Sequence, residues 1–278
     1  MLKLENVNKK FKSVLIADHI SVELDKFTYG LLGRNGSGKT TLLRCITQIE
    51  NINSGKITYE DDNGTEIKKY LDFIGYLPQN FDIFNELTSD EVLQLFANLK
   101  DYSISEDEKT ELLKILNLTD KKNSLVKTLS GGMKRRLGIA QALIGNPDIL
   151  LLDEPTSGLD PEERLNFKNV IRKVKKDKCV VLSTHIITDI ESLCDKILVL
   201  SNGQIKYFDS CQALADVAKG KVFAVDNAKR LECSYYSMGD IVMDGKNLEK
   251  VICREPIDAL ELEPTVEDGY ICFIENLY

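Results

Sequence analysis

Residues that could bind phosphate stand together near the start of the chain. The stretch GRNGSGKT, from Gly33 to Thr40, fits the pattern G-x-x-x-x-G-K-[ST]. In such a loop, backbone N–H groups surround phosphate oxygens, Lys39 reaches the β- and γ-phosphates, and the Thr40 hydroxyl is a ligand for Mg²⁺. A glycine-rich turn with a surface lysine is the plain alternative. Because the loop follows a predicted buried strand and opens a predicted helix, the pattern favours the phosphate site.

Ionisable side chains follow two later strands. Asp153 and Glu154 end the apolar run ILLLDEP, and His185 ends VVLSTH. Open α/β sheets bind ligands at the carboxyl ends of their strands. Asp153 there suits a Mg²⁺ site, and Glu154 could polarise an attacking water. A helix-start acidic pair and a structural histidine are the plainer readings, and the phosphate loop upstream weighs against both.

A second helix start with a phosphate-binding layout lies downstream, in LSGGMKRRLGIAQAL from Leu129 to Leu143. A serine and two glycines precede a helical run, so a hydroxyl and helix-start N–H groups could bind a γ-phosphate. The stretch lacks the lysine that such a loop would need to work alone. A plain helix-start turn is the alternative, and these residues by themselves do not say whose phosphate would be bound.

Composition narrows the class of protein. The chain has 278 residues, 43% of them hydrophobic, which is enough for one large domain with or without a small one. Acids outnumber bases by 44 to 36, and this balance disfavours nucleic acid as a partner. The seven scattered cysteines suggest reduced cytosolic thiols rather than a zinc or disulfide framework. No signal peptide or membrane span is expected, so a membrane role would require another chain.

Short apolar strands alternate with helices along most of the sequence. MLKLENV and ISVEL alternate in polarity and predict a half-exposed antiparallel layer. FTYGLLG, FIGYLPQ, DILLLDEP and CVVLSTH predict buried strands, and ILVLSNGQIKYF predicts a hairpin that turns at Asn202 and Gly203. The pattern predicts an α/β fold with a mostly parallel core sheet and an antiparallel β layer.

A helical insertion is expected from about residue 81 to residue 144. Thr88 and Glu91 form a capping-box pattern at the start of its first helix. The face expected to be buried comprises Val92, Leu95, Phe96 and Leu99. The stretch SEDEKTELLKILNL predicts a second helix of the same type.

The composition changes after about residue 212. Residues 213–278 hold 13 acids and 7 bases, so this segment carries most of the net negative charge. Short strands and a final helix predict a small acidic α/β accessory unit. Thr265 is expected to cap the helix, with Asp268 in the N3 position. The apolar residues of this helix are expected to lie on one face, which comprises Val266, Tyr270, Phe273, Ile274 and Leu277.

Taken together, these residues resemble the ATP-binding subunits of ABC transporters, in that family's motif order and spacing over about residues 1–212. The resemblance implies a P-loop ABC ATPase that binds and hydrolyses ATP with Mg²⁺. Two departures are minor: Phe stands where Tyr is commoner, and Met133 stands where Gln or Glu is frequent. The implied catalytic residues are Lys39, Gln79, Glu154 and His185, and the implied metal ligands are Thr40, Gln79 and Asp153. The implied nucleotide contacts are Phe11, Gly33, Arg34, Asn35, Gly36, Ser37, Gly38, Lys39, Thr40, Thr41, Ser130, Gly131, Gly132 and Asp160.

The resemblance also implies partners. Ser130, Gly131 and Gly132 would contact the ATP held by the phosphate loop of a second ATPase chain, identical or diverged, so that a head-to-tail dimer forms two composite sites. A separate transmembrane permease would dock near residues 80–87, where Phe81, Ile83 and Phe84 are apolar, although some of these could instead cap the core. The subunit would lie in the cytoplasm, on the inner face of the cell membrane.

Two functions remain open at this point. The first is a transport ATPase, with EPTVEDGYICFI resembling the closing helix of the drug-, peptide- and sodium-export branch. The second is a soluble ABC ATPase in a role such as iron–sulfur assembly. Only about 90 residues separate Lys39 from Ser130, with no heptad run, which argues against a DNA-maintenance member. Glu154 and His185 argue against a sensor that does not hydrolyse.

Overall fold

The structure is a computed structural model that describes residues 1–12, 14–81, 85–226 and 233–277. The chain divides into two compact units, Met1–Tyr207 and Phe208–Tyr278. The boundary drawn from composition, after residue 212, falls a few residues inside the second unit. That the two segments are independent domains stays a prediction.

The first unit alternates strands and helices as the sequence predicts. Its strands are β1 Leu2–Phe11, β2 Val14–Leu24, β3 Thr28–Leu32, β4 Ser54–Tyr59, β5 Ile74–Leu77, β6 Ile149–Asp153, β7 Cys179–Thr184, β8 Lys196–Ser201 and β9 Gln204–Phe208, the last ending one residue past the unit boundary. Its helices are α1 Lys39–Ile46, α2 Ser89–Leu99, α3 Glu106–Ile115, α4 Gly131–Leu143, α5 Pro161–Val174 and α6 Ile187–Leu193.

The central sheet has the strand order β5-β6-β7-β3-β8-β9. Neighbours from β5 to β8 pair in parallel, and β3, β6 and β7 are buried along their whole length. Such continuous apolar strands are typical of a sheet that is covered on both faces. The carboxyl ends of five neighbouring parallel strands therefore meet at one edge. This confirms the mostly parallel core sheet.

The turn between β8 and β9 has the predicted residues. Asn202 and Gly203 both have positive φ, 50° and 78°. Two successive positive φ values favour a tight hairpin turn whose twist matches the strands.

The antiparallel layer is also confirmed. Its strand order is β2-β1-β4, and Leu2 pairs with Leu24 on one side and with Tyr59 on the other. Leu2, Leu4 and Val7 of β1 are buried in one core cluster with residues of β3 and α1. The alternation of buried and exposed residues along β1 fixes this layer against one face of the central sheet.

The helical insertion packs into a second core cluster, on the other face of the sheet. Both of its first helices begin with capping boxes, Thr88 with Glu91 and Ser105 with Glu108. The predicted buried face of α2 is partly wrong: Leu99 is 70% exposed, whereas Leu93 and Ala97 are fully buried. Leu99 is the last residue of the helix, where the apolar pattern continues but the contact surface has ended.

Among its described residues, the second unit has a small antiparallel sheet and two α-helices. Its strands are β10 Val222–Asp226, β11 Tyr235–Met243, β12 Lys246–Cys253 and β13 Leu260–Glu261, in the order β11-β12-β10-β13. Its helices are α7 Cys211–Ala215 and α8 Val266–Ile274. Small apolar clusters lie around Val222 and around Val251. This is the small α/β unit that the composition predicts.

The closing helix α8 has the predicted cap but not the predicted face. Thr265 and Asp268 form a capping box. Val266 is buried as expected, but the other buried positions are Asp268, Gly269 and Cys272 rather than the large apolar residues further along. A Cβ on Gly269 would lie 1.9 Å from the carbonyl oxygen of Leu214. The helix therefore approaches α7 through its glycine, and this contact rotates the larger side chains to half-buried positions.

Candidate active site

The phosphate loop connects the carboxyl end of β3 to the amino end of α1. Gly36 and Gly38 have positive φ, 79° and 103°, in the region that glycine adopts without strain. A Cβ on Gly38 would lie 2.6 Å from Cγ2 of Ile16. Gly38 is also the N-cap of α1 and provides no side-chain cap, so N–H groups of the first turn remain available to an anion. The loop is thus built as an anion-binding helix start.

Lys39, the first residue of α1, is only 6% exposed. Its Nζ donates to the carbonyl oxygens of Gly33 (2.7 Å) and Arg34 (3.3 Å) and lies 3.6 Å from Oε1 of Glu154. Burial lowers the pKa of Lys39, and the Glu154 carboxylate opposes that shift. The ammonium is held at the loop by main-chain oxygens, in a position to meet phosphate.

Asp153 ends β6 and is fully buried. Its Oδ1 accepts hydrogen bonds from the Thr40 hydroxyl (3.1 Å) and the Ser183 hydroxyl (2.6 Å). Its Oδ2 is also buried and has no hydrogen-bond partner among the described residues. Such an orphaned carboxylate oxygen is costly unless a ligand completes it. Beside the Thr40 hydroxyl, it fits a hard cation such as Mg²⁺.

In the part of the chain that the structure describes, no three His, Cys, Asp or Glu side chains gather into a metal-binding group. This agrees with the usual behaviour of Mg²⁺, which binds through one or two carboxylates, waters and substrate phosphates rather than through an all-protein cage. The Asp153 carboxylate and the Thr40 hydroxyl are oxygen ligands of the kind that Mg²⁺ accepts beside nucleotide phosphates.

Glu154 lies just past β6 and is 6% exposed. Its Oε2 lies 2.9 Å from Nδ1 of His185, which follows β7. Its backbone N–H donates to the carbonyl oxygen (3.0 Å) and hydroxyl (3.1 Å) of Ser183. Its φ is 45°, a value that a residue with a side chain rarely adopts. The carboxylate is thus fixed between an imidazole and the Lys39 ammonium in a locally strained backbone, as is common at functional sites.

A cavity of about 360 Å³ lies at this edge of the sheet. It brings together predicted residues from the phosphate loop and from three strand ends, and adds Ile16 and Ser157, which the sequence did not indicate. A larger cavity of about 570 Å³ lies by Asp148, at the amino end of β6, and contains none of the predicted site residues. The predicted residues that line the first cavity are Asn35, Gly36, Gly38, Lys39, Thr40, Thr41, Gln79, Glu154 and His185.

Other predicted residues lie outside this cavity. Phe11 ends β1 with 42% of its surface exposed, and the Lys9 ammonium lies 4.3 Å from the centre of its ring. Asp160 is the N-cap of α5, where its carboxylate accepts from the N–H of Glu163. Ser130, Gly131 and Gly132 open α4. Within one chain, therefore, the second phosphate-binding layout is not part of the first site.

Two features distinguish the glycines that open α4. The Ser130 hydroxyl accepts from the N–H of Met133 (3.1 Å) and donates to Oε1 of Glu163 (3.3 Å). A Cβ on Gly132 would lie 2.3 Å from Cδ of Glu163, whereas a Cβ on Gly131 would meet no atom within 4 Å. A side chain at 132 would therefore have to displace the Glu163 carboxylate, whereas position 131 has open space.

Sequence reasoning missed two residues that shape the site. Ser183 bridges Asp153 and Glu154, and Arg135 on α4 donates to the carbonyl oxygens of Glu154 (2.9 Å), Pro155 (3.0 Å) and Gln79. Ser183 stands inside an apolar strand and Arg135 in a basic run, so both have ordinary explanations in one sequence. The contacts of Ser183 and Arg135 become visible only in the fold, where β7 and α4 pack close to the loops that follow β5 and β6.

The phosphate loop between β3 and α1 and the acidic residues at the end of β6 define a P-loop nucleotide-binding fold. A model of the ABC transporter family matches residues 18–157. The chain is 35% identical to the uncharacterized ABC transporter ATP-binding protein YdbJ of Bacillus subtilis over 229 residues, 81% of this chain and 74% of that protein. The chain therefore belongs to the ABC transporter ATP-binding proteins, and it is an ATP hydrolase of the ABC type.

Two further relatives have different roles in their names. The linearmycin resistance ATP-binding protein LnrL of Bacillus subtilis is 34% identical, over 74% of this chain and 68% of its own length. The methionine import ATP-binding protein MetN of Clostridium tetani is 33% identical, over 77% of this chain and 70% of its own length. Identity alone does not separate the two.

Solved structures agree with the fold. The dimeric structure of a bacterial ABC transporter cassette is 27% identical, with a TM-score of 0.64 over 74% of this chain and 97% of that one. A dimeric post-hydrolysis state of the same cassette, bound to ADP and phosphate, has a TM-score of 0.63, with 27% identity over 74% of this chain and 97% of that one. Among the described residues of the present chain, no helix has both the length and the apolar character to cross a membrane.

Proposed function

We propose that this chain is the ATPase subunit of an exporter and hydrolyses ATP at composite sites in a head-to-tail dimer. The observation that carries the proposal is that Lys39, Glu154 and His185 line one cavity at the carboxyl edge of the parallel strands β3, β6 and β7. Asp153 is buried beside them at the end of β6, where it accepts a hydrogen bond from Thr40. A buried ammonium, two carboxylates and an imidazole lie close together here. The end of an apolar strand does not need such groups for its structure, so their clustering indicates a functional site.

Within the site, each side chain has a distinct role. The loop N–H groups and Lys39 bind the β- and γ-phosphates of ATP. Glu154 orients and polarises the attacking water, and His185, bonded to Glu154 at 2.9 Å, holds that carboxylate in place. Thr40, Asp153 and Gln79 would hold Mg²⁺, which when bound neutralises negative charge on the phosphates.

The start of α4 serves the nucleotide of a second chain. Ser130 and the first N–H groups of α4 form an anion site that lies outside the cavity of their own chain. Open space at Gly131, where its own fold needs no glycine, leaves room for a phosphate from outside. ATP then bridges two chains and hydrolysis releases them, which makes a two-state switch. The second chain is an identical copy or a diverged partner.

The closing and opening of the ATPase dimer is passed to a separate transmembrane permease. Its docking surface is near residues 80–87, of which Ile83 and Phe84 lie outside the described residues. Phe81 is half-buried, with its ring centre 6.2 Å from that of Phe96, so it supports the surface from beneath. Asn85 and Glu86 are exposed beside it. The subunit then works in the cytoplasm, peripheral on the inner face of the cell membrane.

Two observations support the export direction. The closing helix EPTVEDGYICFI resembles that of the drug-, peptide- and sodium-export branch, and LnrL is a resistance protein by its name. Expression of the chain with its permease in inverted vesicles tests this: ATP added outside should drive uptake of cargo into the vesicles. ATP-driven release of preloaded cargo would indicate import instead.

Steady-state hydrolysis tests the site itself. Wild type, Lys39→Ala and Glu154→Gln are compared at saturating Mg²⁺ and ATP. Glu154→Gln should lower turnover about 10²-fold or more, the scale on which loss of a general base is felt, without weakening ATP binding. Normal turnover in Glu154→Gln would remove Glu154 from the mechanism.

A further inference from the structure

The side chain of Arg135 joins two loops that the proposed mechanism uses. Its Nε donates to the carbonyl oxygen of Pro155 (3.0 Å) and its Nη2 to that of Glu154 (2.9 Å). Its Nη1 donates to the carbonyl oxygen of Gln79. Gln79 follows β5, and Glu154 and Pro155 follow β6, the neighbouring strand. One guanidinium therefore spans the exits of two paired strands.

All three bonds go to main-chain oxygens, which suits positioning better than charge neutralisation. The guanidinium is planar and presents its donors in a fixed fork, so three acceptors define the relative position of both loops. The next residue, Arg136, behaves differently, because its guanidinium pairs with the Glu163 carboxylate. Burial lowers the pKa of Arg135, and the Asp153 and Glu154 carboxylates oppose that shift.

Arg135 also belongs to the helix that starts at the second phosphate-binding layout. It lies five residues after Ser130, on α4. Further along the same helix, the Gln141 amide donates to the carbonyl oxygen of Tyr76 in β5 at 2.8 Å. The C-terminal half of α4 is thus anchored to the sheet independently. Arg135 connects the remaining, N-terminal half of the helix to the loops at the cavity.

We propose that Arg135 is a positioning residue that holds Gln79 and Glu154 in register and links both to the helix start that meets the partner's nucleotide. This inference rests on the proposed roles of Gln79 and Glu154. A small shift of the amino end of α4 is passed through the guanidinium to the main chain of both loops. Contact between α4 and the nucleotide of the second chain thereby adjusts the catalytic carboxylate of its own chain.

Three variants of the full chain test the proposal. Arg135→Met removes all three bonds and keeps the aliphatic stem. Arg135→Lys keeps the charge, but a single ammonium cannot span both loops. Lys134→Met is the matched control, because it removes a charge one position earlier, where the side chain contacts Asn85 instead.

The expected result is a loss of turnover without a loss of binding. In Arg135→Met, kcat should fall about 10²-fold, the effect of misplacing a catalytic group by roughly 1 Å, while the Kd for ATP stays at the wild-type value. Arg135→Lys should lose on the order of tenfold in kcat. Lys134→Met should match wild type. Hydrogen–deuterium exchange should rise in residues 77–81 and 153–157 of the Arg135 variants and stay unchanged in β3 and β7.

Specific outcomes overturn the inference. Normal kcat in Arg135→Met, or full rescue by Arg135→Lys, would show that the three-carbonyl geometry is not needed. If kcat, ATP binding and protection from hydrogen–deuterium exchange across the whole chain all fall together, Arg135 has a merely structural role. If Arg135→Met does not fold, Arg135→Lys decides by the same criteria. Glu154→Gln is measured alongside as a control. If Glu154→Gln hydrolyses ATP at the normal rate, the proposed mechanism fails. If Glu154→Gln is inactive but the Arg135 variants are normal, only the positioning role of Arg135 is wrong.

Discussion

Gly131 and Gly132 are adjacent in the sequence but should respond oppositely to the same substitution. A methyl group on Gly131 meets no atom of its own chain within 4 Å, and its φ is not among the positive values. Gly131→Ala should therefore leave the free energy of unfolding unchanged or raise it by up to about 1 kcal/mol, since alanine loses less backbone entropy in a helix. Its hydrolysis should nevertheless fall, because the methyl group occupies space proposed for the partner's γ-phosphate.

Gly132→Ala should damage the fold. Its methyl group would lie 2.3 Å from both Cδ and Oε2 of Glu163, a carboxylate that Arg136 and Ser130 hold in place. Displacing Glu163 overpacks the site and strains those contacts, at a cost of about 1–3 kcal/mol. The two variants thus separate a stability effect from a functional one at neighbouring positions.

Two assays on each variant decide the matter. Urea denaturation followed by circular dichroism gives the free energy of unfolding, and coupled-enzyme turnover gives kcat. A stable Gly131→Ala with low kcat and normal ATP binding by the monomer supports contact in trans. Full activity in Gly131→Ala, or loss of stability equal to that of Gly132→Ala, would refute the reasoning.

Two more predictions concern the limits of the site. Lys39→Ala should abolish detectable turnover and weaken ATP binding, because the ammonium that lies at Gly33 and Glu154 is lost; equilibrium binding of a fluorescent ATP analogue measures this, and full hydrolysis would contradict the assignment. Deletion of residues 213–278 should leave a folded chain that binds ATP, because the predicted nucleotide residues lie in Met1–Tyr207. Calorimetric titration with ATP checks it, and a soluble, folded truncation that binds no nucleotide would show that the boundary is wrong.

Local signals in the sequence predicted the parts of the fold that depend on near neighbours. The capping boxes at Thr88 and Thr265 and the turn at Asn202 and Gly203 are confirmed because each requires only a few adjacent residues. The phosphate loop is similar, since its glycines and Lys39 act within eight residues. The buried strands of the central sheet were also predicted, because a sheet covered on both faces requires continuous apolar runs.

The sequence did not predict features that depend on contacts between residues far apart in the chain. Leu99 continues an apolar pattern into solvent, and Gly269 rather than a large side chain makes the close contact of α8. Arg135 reads as one of three basic residues, yet its donors meet carbonyl oxygens of two loops remote in sequence. Periodicity describes which residues could face inward, but the contact partner decides which do.

The central claim is that ATP bridges two copies through composite sites. It is tested most directly by light scattering on Glu154→Gln, which should bind ATP without hydrolysing it. With ATP, the mass should rise from that of the 31.3 kDa monomer to twice that value, and with ADP it should not. Adding Gly131→Ala to the same chain should abolish the ATP-induced dimer while ATP still binds. A Glu154→Gln chain that binds ATP and stays a monomer, both alone and with a diverged partner chain added, or a dimer indifferent to Gly131→Ala, would contradict the account.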